Sequence, residues 1–379
     1  MKIAVITNSR IPSLTANSIQ VMKVTQALMQ IGHELRMFAP RETEVPTPGH
    51  LRAHYGLHLV PDLSLLPSNP RLKRLDFILR AQSAAGRFGA ELVYTWLPQS
   101  AALALWSGLP VVLEMHANVA GRMGAWWLRQ FWNARGAKVM TVTTSALGKA
   151  LERSTRLQFP NESVIIAPNG VELEKYDGLP HPAEARRQLN LPEGPTVGFT
   201  GHIYPGRGAD LLFELARLLP QVNFLWVGGT PELVEFWRGK LAEAGLTNVT
   251  MTGFVEHARV PLYQAASDIL LMPYSRSISA SSGQDIAEVI NPMKMFEYMA
   301  SGRAIISADL PSIREMLHEG SAVLCEAGEW GSVIGKWKVE IEALLADEPR
   351  RQSLAAQARA DVQSLTWEQR EERVLQNFH

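Results

Sequence analysis

From one end of this chain to the other, short apolar runs rich in β-branched residues alternate with longer stretches of helical period. A run that is apolar at nearly every position needs both faces covered. A parallel sheet flanked by helices supplies that cover, and an antiparallel sheet open to water on one side does not. Runs at 2–7, 34–39, 91–95, 111–115, 138–143 and 163–167 read as strands, with helices expected over 18–31, 72–87, 99–107, 122–135 and 145–151. The alternation then restarts, with strands at 196–200, 223–228, 249–251, 269–272, 304–307 and 322–325. Helices are expected at 210–219, 231–243, 260–266, 292–300 and 313–317.

The interruption runs from Gly178-Leu179-Pro180-His181-Pro182 to Leu191-Pro192-Glu193-Gly194-Pro195 and holds four prolines and two glycines. Such a segment fits a domain junction. The expected fold class is therefore α/β, with two tandem doubly wound, Rossmann-like domains over 1–178 and 179–365. A terminal helix occupies 366–379, and a ligand cleft lies at the carboxyl ends of the strands. With 379 residues, 46% of them apolar, the chain can build two cores and is not disordered. Its single cysteine, Cys325, excludes a disulfide framework and a cysteine metal site. The N-terminal apolar run is too short for a signal peptide, and no segment approaches 18 consecutive apolar residues. A cytoplasmic protein is expected.

The richest stretch chemically is Asn291-Pro292-Met293-Lys294-Met295-Phe296-Glu297-Tyr298-Met299-Ala300. Asn291 reads as an N-cap and Pro292 as a first helical residue, so the freed amides near Met293 would suit a phosphate. Lys294 and Glu297, three apart, share a helix face. A carboxylate there can accept from the vicinal hydroxyls of a sugar, although an exposed ion pair is an equal reading. A second element, Gly201-His202-Ile203-Tyr204-Pro205-Gly206-Arg207-Gly208, follows the strand at 196–200. Its glycines allow close approach to an anion, and Arg207 can clamp phosphate. It is neither a Walker loop nor a dinucleotide fingerprint. Gly228-Gly229, Gly253-Phe254-Val255 and Pro273-Tyr274 end the next three strands.

With these pieces the second half resembles the donor domain of a GT-B glycosyltransferase of the retaining family 4, group 1 type. The resemblance rests on the Arg207 loop, on FLWVGG, NVTMTGFV and VPLYQAASDILLMPY, and above all on NPMKMFEYMASGRAIISADLPSIREML. IQVMKVTQALMQIGHELRMFAP and IIAPNGVELEKY extend it over nearly the whole chain. It implies a hexosyltransferase-like enzyme that takes a UDP- or GDP-sugar, needs no metal and no other cofactor, and returns its last helix to the first domain. Glu297 would bind ribose hydroxyls. Arg207 would hold the diphosphate with Gly201 and the amides near Met293 and Lys294, while Phe254 and Val255 would face the base. The family's earlier glutamate falls on Val289, with Glu288 beside it, and the basic residue usual after the first loop glycine is His202.

In the first half, His116 ends the strand at 111–115 and would act near the reacting sugar, as a family histidine does. Glu114 is left out of the catalytic set, on the reading that alternation turns it to the other face, and Asn17 or Ser18 is taken as a helix cap. Residues 121–135 hold three tryptophans, one phenylalanine, three arginines and no acid. Residues 71–80 form a second basic amphipathic stretch. Either stretch alone reads as packing on the sheet with its arginines on the solvated face, whereas the two together suggest an anionic membrane surface. No nucleic-acid signature accompanies them. The 37 basic and 37 acidic residues cancel overall, yet residues 1–178 carry 19 basic and 12 acidic residues, which leaves a basic first half and an acidic second.

The expectation is a retaining transferase acting on a glycan or lipid-linked acceptor in surface polysaccharide synthesis, peripheral on the inner face of the plasma membrane. A sugar-nucleotide 2-epimerase of the same fold and a non-catalytic nucleotide-sugar or lipid-binding protein are the alternatives.

Overall fold

The computed structural model describes all residues except 43, 73, 161–163, 205, 279–284 and 379. Lys73 in the basic stretch, Ser163 at a predicted strand start, Pro205 in the glycine loop and the terminal His379 therefore lie outside the described residues. The chain divides into two compact units, Met1–Asn169 with Trp367–His379, and Gly170–Thr366.

The first unit contains β1 (Lys2–Ile6), α1 (Ala16–Gln30), β2 (Glu34–Pro40), α2 (Pro48–Tyr55), β3 (Asp62–Leu66), α3 (Leu75–Phe88), β4 (Leu92–Thr95), α4 (Pro98–Trp106), β5 (Val111–Met115), α5 (Gly121–Asn133), β6 (Lys138–Val142), α6 (Ser145–Thr155) and β7 (Val164–Ile166). All seven strands run parallel in the order β3-β2-β1-β4-β5-β6-β7. The central β1, β4 and β5 are buried throughout except for Lys2, as continuous apolar runs require. On one face α3, α4, α5 and α6 pack in succession.

The second unit contains α7 (Pro182–Gln188), β8 (Thr196–Thr200), α8 (Ala209–Leu218), β9 (Asn223–Val227), α9 (Pro231–Glu243), β10 (Val249–Gly253), α10 (Val260–Ala265), β11 (Ile269–Met272), α11 (Met293–Ala300), β12 (Ala304–Asp309), β13 (Val323–Glu326), α12 (Trp330–Ala346) and α13 (Glu348–Asp361). Its sheet is parallel in the order β10-β9-β8-β11-β12-β13. Both sheets reverse winding direction beside their first strand, β1 against β4 and β8 against β11. In doubly wound sheets the carboxyl ends of the strands at such a reversal are the general place for a ligand.

The division falls at residue 169 rather than 178 because Val171 forms a parallel bridge to Thr366 and Tyr176 is buried in the second unit's core. The final helix α14 (Trp367–Leu375) packs on α1 in the first unit.

Three local expectations are corrected. Thr15, extended at φ −72° and ψ 143°, caps α1 by accepting from the Ser18 amide, so neither Asn17 nor Ser18 is the cap. Asn17 instead donates to the Ser9 hydroxyl at 2.7 Å. Residues 313–317 form hydrogen-bonded turns, not a helix. Helix α11 begins at Met293 with Pro292 as its extended N-cap residue, one position later than the Asn291 cap expected.

Candidate active site

In the second unit, the loops after β8, β9, β10 and β11 are packed backbone against backbone. The Gly201 amide donates to the Val227 carbonyl and the Gly228 amide to the Gly253 carbonyl, each at 2.8 Å. Gly208, at φ +90°, precedes α8 so closely that a Cβ would sit 2.2 Å from the Pro273 carbonyl oxygen. Only glycine fits that place. The glycine-rich strand ends named from the sequence are thus brought together in one ring.

Lys294 enters this ring from the first turn of α11. It is 9% exposed, and its Nζ lies 3.7 Å from the centroid of the Phe199 ring and 5.8 Å from that of Tyr274. A Cβ built on Gly201 would be 3.1 Å from the same Nζ. Among the described residues the ammonium has no hydrogen-bond acceptor. Burial, then the positive charge of Arg207, hold its pKa well below the usual lysine range, against the opposing pull of Glu297. The surface ion pair considered from sequence alone is therefore excluded: Lys294 is a core residue. Arg207 is half-buried, and its Nε also lacks an acceptor among the described residues. Tyr274 beside it is pushed up to about 12 by burial. Two cations thus converge where the surroundings offer rings and dipoles in place of acceptors.

Glu297, one turn on, is half-buried and accepts from Gln264 Nε2 at 3.2 Å. The neighbouring Tyr298 hydroxyl accepts from the Thr200 amide at 2.8 Å, which pins α11 to the end of β8. Phe254 is exposed just beyond β10, and Val255 packs on a small cluster with Leu225 and Val227. His202 stacks on Tyr204, with ring centroids 4.9 Å apart. Val289 is buried. Glu288 lines a separate cavity of about 380 Å³ with Arg276, Asp309, Glu326 and Lys336, a lining that includes neither Lys294 nor Arg207.

In the first unit, His116 follows β5 and is half-buried, and its Nε2 hydrogen-bonds the buried Glu114 carboxylate. This corrects the expectation that Glu114 turns to the other face, away from His116. Side chains two apart on a strand share a face, so Glu114 and His116 were bound to be neighbours. Glu114 also accepts from Gln20 Nε2 at 2.6 Å, from the Tyr94 hydroxyl, and from Arg370 of α14 at 2.6 Å. Burial pushes the Glu114 carboxyl up, but Arg370 and His116 outweigh it and hold the group below the ordinary range. Arg370 was missed because nothing local in the sequence ties it to residue 114.

The model of the "Glycosyl transferases group 1" family matches residues 194–347, and that of "Glycosyltransferase Family 4" matches residues 18–175. The chain belongs to the group 1, family 4 glycosyltransferases. A Bacillus subtilis glycosyltransferase assigned to teichuronic acid biosynthesis is 31% identical over 185 residues, covering 48% of this chain and 42% of that protein. The D-inositol 3-phosphate glycosyltransferase of Xylanimonas cellulosilytica is 25% identical over 93% of this chain and 88% of its own. The structure of Anabaena HepE in complex with UDP-glucose superposes with a TM-score of 0.75 at 17% identity, over 100% of this chain and 99% of that one, and shows the same fold. This family-4 glycosyltransferase is thus an enzyme of sugar transfer with the GT-B pair of Rossmann-like domains. The block carrying Lys294 and Glu297 lies inside the group 1 match, and His116 inside the family 4 match.

Among the described residues no helix is long and apolar enough to cross a membrane. The two amphipathic stretches are each buried in part and exposed in part. Helix α5 buries Ala125, Leu128 and Phe131 yet leaves Met123 and Trp126 exposed, and in the same layer Leu72, just before α3, and Leu75 and Leu79 within it are exposed. Arg129 is tied to the Thr155 carbonyl and Arg74 to Glu42, whereas Arg71, Arg80, Arg122 and Arg135 are exposed.

Proposed function

We propose that this enzyme transfers a sugar from a UDP- or GDP-sugar, with retention of configuration, to a glycan or lipid-linked acceptor of surface polysaccharide synthesis. The observation that carries the donor reading is Lys294. A buried ammonium set against aromatic rings, with no hydrogen-bond acceptor among the described residues and a second cation beside it, is costly in a free protein. A diphosphate relieves both charges at once. As the glycosidic bond breaks, negative charge grows on the leaving diphosphate, and Lys294, Arg207 and the first-turn amides of α11 would stabilise it. Glu297, held by Gln264, would accept from the ribose hydroxyls. The acceptor hydroxyl would attack from the face the diphosphate leaves, with a phosphate oxygen taking its proton, and no metal is assigned a part in this scheme. UDP-glucose in the HepE structure supports a uridine donor as the first to try.

Exposed Leu79, Met123 and Trp126, with Arg80 and Arg122 on the same helices, support an anionic membrane surface as the place where a lipid-linked acceptor is met. The test of the donor site is a thermal-shift panel of UDP-, GDP-, dTDP- and ADP-sugars on the wild type and on Glu297→Ala and Arg207→Ala. One nucleotide series should stabilise the wild type, and either substitution should abolish most of that stabilisation. Undiminished sugar transfer by both variants would overturn the assignment.

A further inference from the structure

The Arg370 guanidinium is 1% exposed, and each of its nitrogens has an acceptor within the first unit. Nε donates to the Pro168 carbonyl at 2.8 Å. Nη2 donates to the Ala167 carbonyl at 3.1 Å and to Glu114 Oε1 at 2.6 Å, and Nη1 reaches Glu114 Oε2 at 3.3 Å and Glu371. Glu114 in turn is surrounded by donors: Gln20 from α1, Tyr94 from β4, His116 beyond β5 and Arg370 from α14. A carboxylate so placed can only accept. The hydrogen between it and the imidazole therefore resides on His116 Nε2, and in the neutral ring Nδ1 is left as the acceptor.

We propose that Arg370, from the last helix, is a positioning residue. By fixing the Glu114 carboxylate it locks His116 as the Nε2–H tautomer, with Nδ1 available to accept from a substrate hydroxyl. This rests on the reading of His116 as a substrate-facing residue and goes beyond it, since it gives the terminal helix a part in the chemistry of the first unit. The arrangement has the logic of an orienting carboxylate behind a catalytic histidine, with an arginine fixing the carboxylate in turn. Burial and the nearby Glu114 charge raise the Glu371 carboxyl, the fifth ionisable member of the cluster. Burial sets the Arg370 charge back, but Glu114, Glu371 and Tyr94 outweigh it.

The experiment is long-range proton–nitrogen NMR on the full chain labelled with ¹⁵N-histidine, with His116 assigned through His116→Gln. The wild type should show one tautomer, protonated at Nε2. Glu114→Gln, whose amide can donate to the ring, should admit the Nδ1–H form. Arg370→Lys keeps the charge but loses the fork, so it should give a mixture. In transfer assays both variants should lose roughly tenfold or more in kcat with the donor KM within about twofold. A wild-type ring protonated at Nδ1, or an Arg370→Lys spectrum identical to the wild type, overturns the proposal, and the wild-type spectrum decides even if a variant does not fold. A locked ring released by Arg370→Lys in an enzyme that His116→Ala leaves fully active removes His116 from the reaction, and with it the positioning role. Donor binding, which rests on Lys294, is read separately by nucleotide thermal shift and fails or stands by itself.

Discussion

Replacing Lys294 by methionine separates a functional lysine from a structural one by the sign of two effects. The methionine is of similar length and apolar, so it fills the space over Phe199 without a charge. An unpaired polar group in the interior costs about 1–3 kcal/mol, and the lost cation–π contact returns roughly 0.5–2 kcal/mol of that. The ligand-free Lys294→Met protein should therefore be as stable as the wild type or more so. Mid-range values leave a net gain of about 1 kcal/mol, and at about 2–4 °C per kcal/mol for a domain of this size its melting temperature should rise by roughly 2–4 °C. Binding should move the other way. A charge-assisted bond to phosphate contributes about 1.5–3 kcal/mol, so the dissociation constant of the preferred nucleotide should rise roughly 10- to 150-fold. The assay is one melting experiment with and without nucleotide, followed by calorimetric titration. A variant that melts several degrees lower while keeping the full nucleotide shift would show that Lys294 is a packing residue, and the reasoning would be wrong.

Three further outcomes follow from the same geometry. Because the Lys294 pKa is depressed in the folded free protein, the unfolded chain binds more protons between that depressed value and the ordinary lysine value of 10.5. Ligand-free stability should rise with pH across that window and nucleotide affinity should fall, with proton uptake on binding that disappears in Lys294→Met. Calorimetry in buffers of different ionisation enthalpy measures the uptake. Gly208→Ala should destabilise the second unit by at least about 1–3 kcal/mol, since φ +90° and a 2.2 Å approach to the Pro273 carbonyl both oppose a side chain there; chemical denaturation reads the loss. Gly32→Ala, with φ +92° but nothing within 4 Å of its Cβ, should show the strain alone and cost less.

Which parts of this molecule could be read in advance follows from where the physical signal is local. The buried central strands announce themselves, and β5, β8 and β11 begin and end where their apolar runs do. The edge strand β3 and the helix α2 before it escaped notice. Residues 62–66 are mostly half-exposed and the segment is broken up by prolines, so neither an unbroken run nor clean alternation exists to be read. The turns at 313–317 mimic a helical period over too few residues to nucleate one. At the site, the Lys294–Glu297 spacing is local and legible, but the burial of Lys294 depends on Phe199 and Tyr274, which only the packing of β8 and β11 brings to it. Arg370 lies 256 positions from Glu114. No periodicity records such a pairing.

The charge balance also sharpens once the units are known. Met1–Asn169 with Trp367–His379 carries 20 Lys+Arg and 12 Asp+Glu, a net +8, and Gly170–Thr366 carries 17 and 25, a net −8. Arg370, Glu114 and Glu371 are interior and neutralise one another in part, so the positive field comes from exposed groups such as Arg71, Arg80, Arg122 and Arg135. A membrane contact made through these should then have two separable parts. Raising salt from about 0.01 M to 0.15 M shortens the screening length from about 30 Å to about 8 Å, so binding of the full chain to vesicles containing anionic lipid should weaken steeply. Trp126→Glu or Leu79→Glu removes apolar insertion and adds repulsion, so it should weaken binding even at low salt while leaving nucleotide thermal shifts unchanged, because both residues are exposed in the first unit. Vesicle flotation measures both. Binding indifferent to salt and to lipid charge would mean that the basic first unit meets something other than a membrane.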